Sequence, residues 1–281
     1  MILYIKKRFG NKMSNILIGT SGYDYPEWKS VFYPPELKRA DFLAYYATQF
    51  NAVELNNTFY SMPTAQRLYS FYERSSGNLS FSIKANRLLT HEISPLWKNA
   101  ADDFKQALLP ILEKDKLCAV LFQFPQSFHY TNDNRIYLAQ LIAAFNGFPV
   151  IIEFRHKEWI RESVFDGLIQ RNASVAFCDM PDLKALPSAD FQNKMYSQFI
   201  GPNAYIRLHG RNADAWYVSD SDPQSNGSAR YDYRYSLEEL EKFILPVRAA
   251  INEGRKVQVF FNNHPKGNGA ENAKHLKDML L

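Results

Sequence analysis

Eight short runs of β-forming residues punctuate the chain, at 16–20, 52–56, 79–84, 118–124, 150–155, 174–179, 204–209 and 256–262. No other feature restricts the fold as much, because helical patterns separate most of the runs. Residues 41–50 place Phe42, Leu43, Tyr46, Ala47 and Phe50 on one helical face. Pro63 and Thr64 open a second helix carrying Leu68, Phe71 and Tyr72. Further helices are expected at 102–113, with Pro110 bending the last turn, and at 134–145, 163–171 and 270–281. Ser236 and Glu239 form a capping box ahead of Leu240, Phe243 and Ile244. The connection at 181–203 is polar and broken by proline, so the sixth helix is expected to be irregular.

Strand alternating with helix implies βα units on a parallel sheet. Eight of them close a (β/α)8 TIM barrel, and 281 residues suit the roughly 250 typical of that fold. An open doubly wound sheet is the rival, but it concentrates its site at one switch point. Here nearly every strand ends in polar groups, which favours a single-domain α/β barrel over residues 16–281. No repeat or linker divides it.

Residues two apart on a strand share a face. One parity collects Glu54 and Asn56; Ser80, Ser82 and Lys84; Leu121 and Gln123; Ile151, Glu153 and Arg155. It continues with Val175, Phe177 and Asp179; Tyr205, Arg207 and His209; Gln258, Phe260 and Asn262. The opposite parity is mostly apolar, with Val120, Phe122, Ile152, Phe154, Cys178, Ile206 and Leu208. Seven strands thus gather polar groups toward their C-terminal ends, where barrel enzymes hold their sites. A salt-bridged plug inside the barrel is the bland alternative for any single residue, since buried charges need partners.

Charge and cysteine usage narrow the function classes. The net charge is +4, and Lys6, Lys7, Arg8 and Lys12 alone account for it, so the barrel is near neutral and lacks a basic footprint for nucleic acid. The leader at 1–15 lacks the apolar length and cleavage site of a signal peptide. It is expected to be disordered, its first twelve residues an upstream extension or a false start before Met13. Cys118 and Cys178 form no CxxC pair and sit in apolar runs, as free thiols of a reducing compartment do. No apolar run reaches the roughly 18 residues of a membrane span. Cytoplasm is the expected location, with no membrane or protein partner.

The motifs carry a family resemblance. Gly19-Thr20-Ser21-Gly22, Trp28 and Phe32-Tyr33-Pro34 resemble the opening signature of the YecE-like family, domain of unknown function family seventy-two. Glu54, Asn56, Thr58, Phe59 and Tyr60 match its second motif, and Lys84, Arg87, Thr90 and His91 its third. Gln123-Phe124-Pro125, Glu153-Phe154-Arg155, Arg207-Leu208-His209-Gly210, Asn262-Asn263 and Asn272-Ala273 follow in order. Tyr23 departs from the tryptophan usual there, which touches loop packing more than chemistry. The resemblance implies a TIM barrel and brings no established activity.

The inward set supports acid–base chemistry. Glu153 or Asp179 is the candidate base, Glu54 a further catalytic carboxylate, and His209 an acid near its usual pKa. Arg155 and Arg207 are planar cations suited to phosphate or carboxylate, and Lys84, Arg87, His91 and Arg211 add to them. Asn56, Gln123, Asn262 and Asn263 complete the binding set. Residues 263–269, with Lys266, are glycine-rich and run into the last helix, where an anion can sit. A flexible glycine turn would have the same composition.

Hydrolysis or another acid–base reaction on an anionic, phosphate-bearing substrate, a nucleotide or nucleic acid among the candidates, is therefore the leading expectation. The cofactor is open; Glu54, Glu153, Asp179 and His209 could hold a divalent metal, but no HxH or HExxH spacing supports one. A two-carboxylate glycosidase using Glu54 and Glu153 is the second reading, with Trp28, Tyr60, Trp97, Trp159, Trp216 and Tyr217 available to stack sugars. A non-catalytic nucleotide- or nucleic-acid-binding barrel is the third. It would use the seventh loop at 211–235, whose Trp216, Arg230, Tyr231, Tyr233 and Arg234 also suit a lid.

Overall fold

Each apolar run becomes one strand. In the computed structural model, which describes residues 16–187, 189–191, 198–217 and 228–280, the strands are β1 (Ile16–Thr20), β2 (Ala52–Leu55), β3 (Ser80–Lys84) and β4 (Leu117–Gln123), then β5 (Val150–Glu153), β6 (Ser174–Asp179), β7 (Asn203–Leu208) and β8 (Lys256–Phe261). All the ladders are parallel and run β1-β8-β7-β6-β5-β4-β3-β2. The leader expected at 1–15 lies outside the described residues, as do parts of the sixth connection and the seventh loop.

Closure falls between β1 and β2, joined by a parallel bridge from Ser21 to Glu54 and by Gly22 N–H donating to the Glu54 carbonyl at 2.8 Å. Side chains complete this seam. The Asn51 carboxamide accepts from Ile18 N–H and donates to the Ile16 carbonyl, both at 2.9 Å. The Tyr46 hydroxyl accepts from Thr20 N–H at 2.8 Å and donates to the Ala52 carbonyl at 3.1 Å. Backbone groups that a regular ladder would pair are thereby satisfied without one. Gly19 makes the close approach feasible, since a Cβ there would lie 1.9 Å from the Ala52 carbonyl oxygen.

The outer helices are α1 (Phe42–Gln49), the single turn α2 (Asn57–Tyr60), α3 (Ala65–Arg74), α4 (Trp97–Glu113), α5 (Asn132–Ala144), α6 (Glu162–Gln170), α7 (Leu237–Asn252) and α8 (Asn268–Leu280). Thr64 and Thr131 cap α3 and α5, and Ser236 with Glu239 forms the expected capping box. α4 starts five residues before its expected first turn, and Pro110 stays inside it. Between β6 and β7 the described residues contain no helix, as the proline-broken sequence implied. No helix among the described residues is long and apolar enough to cross a membrane.

Two apolar layers result. The larger packs between strands and helices; the smaller fills the barrel with Ala52, Ala119, Leu121, Ile151, Ala176, Cys178, Tyr205 and Phe260. A filled interior leaves no room for a ligand inside the cylinder, and in barrels of this kind sites sit at the C-terminal mouth.

Candidate active site

The mouth is built around one guanidinium. Arg207, projecting inward from β7 and 2% exposed, donates from Nε to Glu54 Oε2 at 2.9 Å and from Nη2 to Glu54 Oε1 at 2.6 Å. Its Nη1 donates to Glu153 Oε2, joining β2 to β5 through β7. Glu153 Oε1 accepts from Arg155 Nε at 2.5 Å, and Arg155 Nη2 lies 3.3 Å from His209 Nε2. The opposite ring nitrogen, Nδ1, lies 2.9 Å from Asn262 Nδ2. Below, Tyr205 donates to Glu54 Oε2 at 2.8 Å, and its oxygen lies 2.7 Å from Ser82 Oγ. Both carboxylates are fully buried, so they need these partners.

This network reassigns two roles expected from the sequence. Burial alone would raise the Glu153 carboxyl, but Arg155 and Arg207, with His209, outweigh it and hold the group well below the carboxylate range. A carboxylate held so firmly is a weak base. His209 does not titrate near its usual value: burial foremost, then Arg155 and Arg207, keeps it neutral well below that point.

The face of β6 is corrected. Partners in a parallel ladder share a face, and Ala176 pairs with Tyr205 and Cys178 with Arg207. Ala176 and Cys178 therefore point inward, and Val175, Phe177 and Asp179 point toward the helices. Asp179 stands outside the ion network. Its Oδ1 accepts from Arg211 Nε at 2.9 Å and from the Tyr235 hydroxyl at 2.8 Å, and its Oδ2 accepts from Arg211 Nη2 at 2.5 Å. Arg211 also donates to Glu239 at 3.0 Å, so this pair ties β6 to the turn entering α7. Asn263 likewise faces structure, donating to Asn272 Oδ1 at 3.0 Å and to the Tyr233 carbonyl at 2.9 Å.

Lys84 behaves differently from the arginines. It is half-buried at the end of β3, with its ammonium 4.2 Å from the centre of the Phe59 ring, and no carboxylate lies within 4 Å of it among the described residues. Burial foremost, with Arg207 and Arg155, draws its pKa down to about 7 against the pull of Glu153 and Glu54. His91 packs edge-on to the same ring at 4.7 Å, while Arg87 is exposed and pairs with Glu92 at 3.3 Å. Gln123 Nε2 donates to the Phe124 carbonyl at 2.9 Å. Asn56 Oδ1 is buried and has no hydrogen-bond partner among the described residues.

Aromatics wall one side. Arg155 lies 5.8 Å from the Trp216 ring centre, and Trp216, Tyr231, His264, Tyr25 and Trp28 follow in sequence, each near the next. The described ends of the seventh loop thus close over the mouth, with Trp216 inside the barrel layer. Loop eight is packed: the Trp28 indole N–H donates to the His264 carbonyl at 2.8 Å, and Gly267 abuts Val31. Lys266 leans outward to Asp232 at 2.6 Å. Of the aromatics expected to stack sugars, Trp97 and Trp159 are buried in the helix-side core; Tyr60 and Tyr217 are exposed.

The four expected metal ligands are not brought together, because Asp179 faces away. Glu153, Cys178 and His209 do converge, their ligating atoms lying within 4.8 Å of one another. Arg155 and Arg207 already occupy the Glu153 oxygens, and two guanidiniums oppose a dication there. His129, His156 and Glu158 make a second such group on the fourth and fifth loops. Cys178 and Phe59 were missed as site members. Phe59 sat inside a recognised motif; Cys178 carried no signal beyond its position.

Residues 17–281 match the family model described as "Protein of unknown function DUF72". The YecE-like label fits that family. UPF0759 protein YunF of Bacillus subtilis is 28% identical, with 94% of each chain covered. A crystal structure of a DUF72 family protein from Thermotoga maritima is similar at 32% identity and a TM-score of 0.81, covering 94% of this chain and 98% of that one. Another, from Enterococcus faecalis, shares the fold at 24% identity and a TM-score of 0.77, covering 94% and 95%.

Proposed function

The chain belongs to the DUF72 family, and from its barrel mouth we propose an enzyme doing acid–base chemistry on a small anionic molecule, carboxylate- or phosphate-bearing. One observation carries this reading: among the described inward residues, Lys84, Arg155 and Arg207 stand against only two carboxylates, Glu54 and Glu153, and arginines consume both. Lys84 is left over, and its charge favours an anion. Arg155 spends Nε on Glu153 and Nη2 on His209, so of its five N–H groups others can meet a ligand.

Lys84 rather than Glu153 is the proton-transfer group, because a catalytic acid or base works best with a pKa near the operating pH. His209, neutral and held between Asn262 and Arg155 through its two ring nitrogens, positions the Arg155 guanidinium. The two-carboxylate glycosidase is disfavoured: Arg207 grips Glu54 and Glu153 together, whereas such an enzyme needs one carboxyl kept protonated.

The test is thermal stabilisation by phosphate, phosphorylated metabolites, carboxylic acids and neutral sugars, on the wild type and on Lys84→Met. Anions should stabilise the wild type, and the variant should bind them about 10-fold or more weakly, the loss of one charged hydrogen bond. Stabilisation by neutral sugars alone would overturn the anionic assignment.

A further inference from the structure

Lys84 has the setting of a nucleophile. Its nitrogen lies against an aromatic face, has no carboxylate within 4 Å among the described residues, and shares the mouth with two permanent cations. Desolvation and neighbouring cations are the two devices that leave a lysine as free amine in neutral solution. The charged and titratable groups facing it are Arg207 on β7, Glu153 and Arg155 on β5, Glu54 on β2, and His91 in the loop after β3. If the only task were to grip an anion, a third arginine would serve without losing its charge.

We propose that Lys84 forms an imine with the carbonyl carbon of the substrate, an anionic aldehyde or ketone such as a 2-oxo acid or a phosphorylated carbonyl compound. The inference rests on the anion-binding reading of the same mouth. The Lys84 nitrogen donates its lone pair to the carbonyl carbon, and the C=O π pair moves to oxygen. Both amine hydrogens then leave with that oxygen as water, and the C=N bond forms. Arg155 holds the anionic group meanwhile. Protonated, the imine draws electrons from the adjacent carbon and activates a C–H or C–C bond there.

Reductive trapping tests this. The full chain is incubated at neutral pH with pyruvate or glyoxylate and cyanoborohydride, and peptides are mapped by mass. Lys84 should gain the mass of the probe less one oxygen, about 10-fold or more faster than exposed lysines such as Lys38, because about half of it is free amine against under a thousandth of an ordinary lysine. Lys84→Arg should lose that adduct alone. Labelling of Lys84 at the pace of exposed lysines overturns the proposal, and this comparison within the wild type holds even if the variant misfolds. Lactate, of equal charge but without the carbonyl, separates the two readings. Stabilisation by lactate without trapping by pyruvate removes the imine and keeps the anion site; neither effect removes both.

Discussion

At the scale of the residue, the decisive distinction is between ionised groups that are consumed and those that are not. Glu153 is the hub of a buried network, gripped by Arg155 and Arg207. Glu153→Gln should therefore cost about 3–5 kcal/mol of stability, since it strands two buried guanidiniums. Chemical denaturation measures this; an unchanged midpoint would show that the arginines find other partners. Cys178 should resist alkylation in the folded state, because burial foremost pushes its thiol well up. Thiol labelling with and without denaturant checks it. These pairings could not be seen beforehand: Glu153, Arg155 and Arg207 were legible as inward groups, but which carboxylate met which cation depends on strand neighbours.

At the scale of the element, strand parity worked wherever one face was polar and the other apolar. On β6 it failed. Residues 174–179 are buried and mostly apolar on both faces, so the single charge at Asp179 carries no information about which face is the interior. Asp179 instead joins Arg211 and Tyr235 on the helix side. Asp179→Ala should cost about 2–3 kcal/mol by removing charged hydrogen bonds at the β6–α7 junction, with no direct loss of ligand affinity. Calorimetric titration against an anion that binds the wild type tests the second half. The same logic marks Gly19, where Gly19→Ala drives a methyl into the β2 backbone. A loss of about 3 kcal/mol or more is expected in denaturant unfolding.

For the whole molecule, the eight strands of the barrel were legible because length, alternation and polar strand ends agreed, and each lives in the local sequence. The seam was not, because Asn51 and Tyr46 replace ladder bonds that no periodicity encodes. Titration also sums over the molecule. Glu153 has a depressed folded pKa, so its contribution is full above the ordinary carboxylate range and is lost as pH falls through that range and below it. His209 also binds its proton less readily when folded, so stability falls as pH drops below the ordinary histidine value of 6.5. Lys84 extends the trend: between about 7 and 10.5 the unfolded chain holds a proton the folded chain has lost, and stability rises with pH. Melting temperature followed across pH should climb from about 7 toward 9 in the wild type and flatten in Lys84→Met; above the ordinary thiol value of 9.0 the upward shifts of buried Cys118 and Cys178, and then of buried tyrosines such as Tyr205, oppose the rise.

Glu54 serves two masters: its backbone carbonyl fastens the β1–β2 seam and its carboxylate anchors Arg207. The one line of the cylinder without a regular ladder among the described residues is thus clamped by a residue of the mouth. Deuterium uptake at the Gly22 amide should accordingly report occupancy from the far side of the wall. A ligand that tightens the arginine lattice will slow exchange there before any contact with β1 is made, and the empty barrel will breathe along that line first.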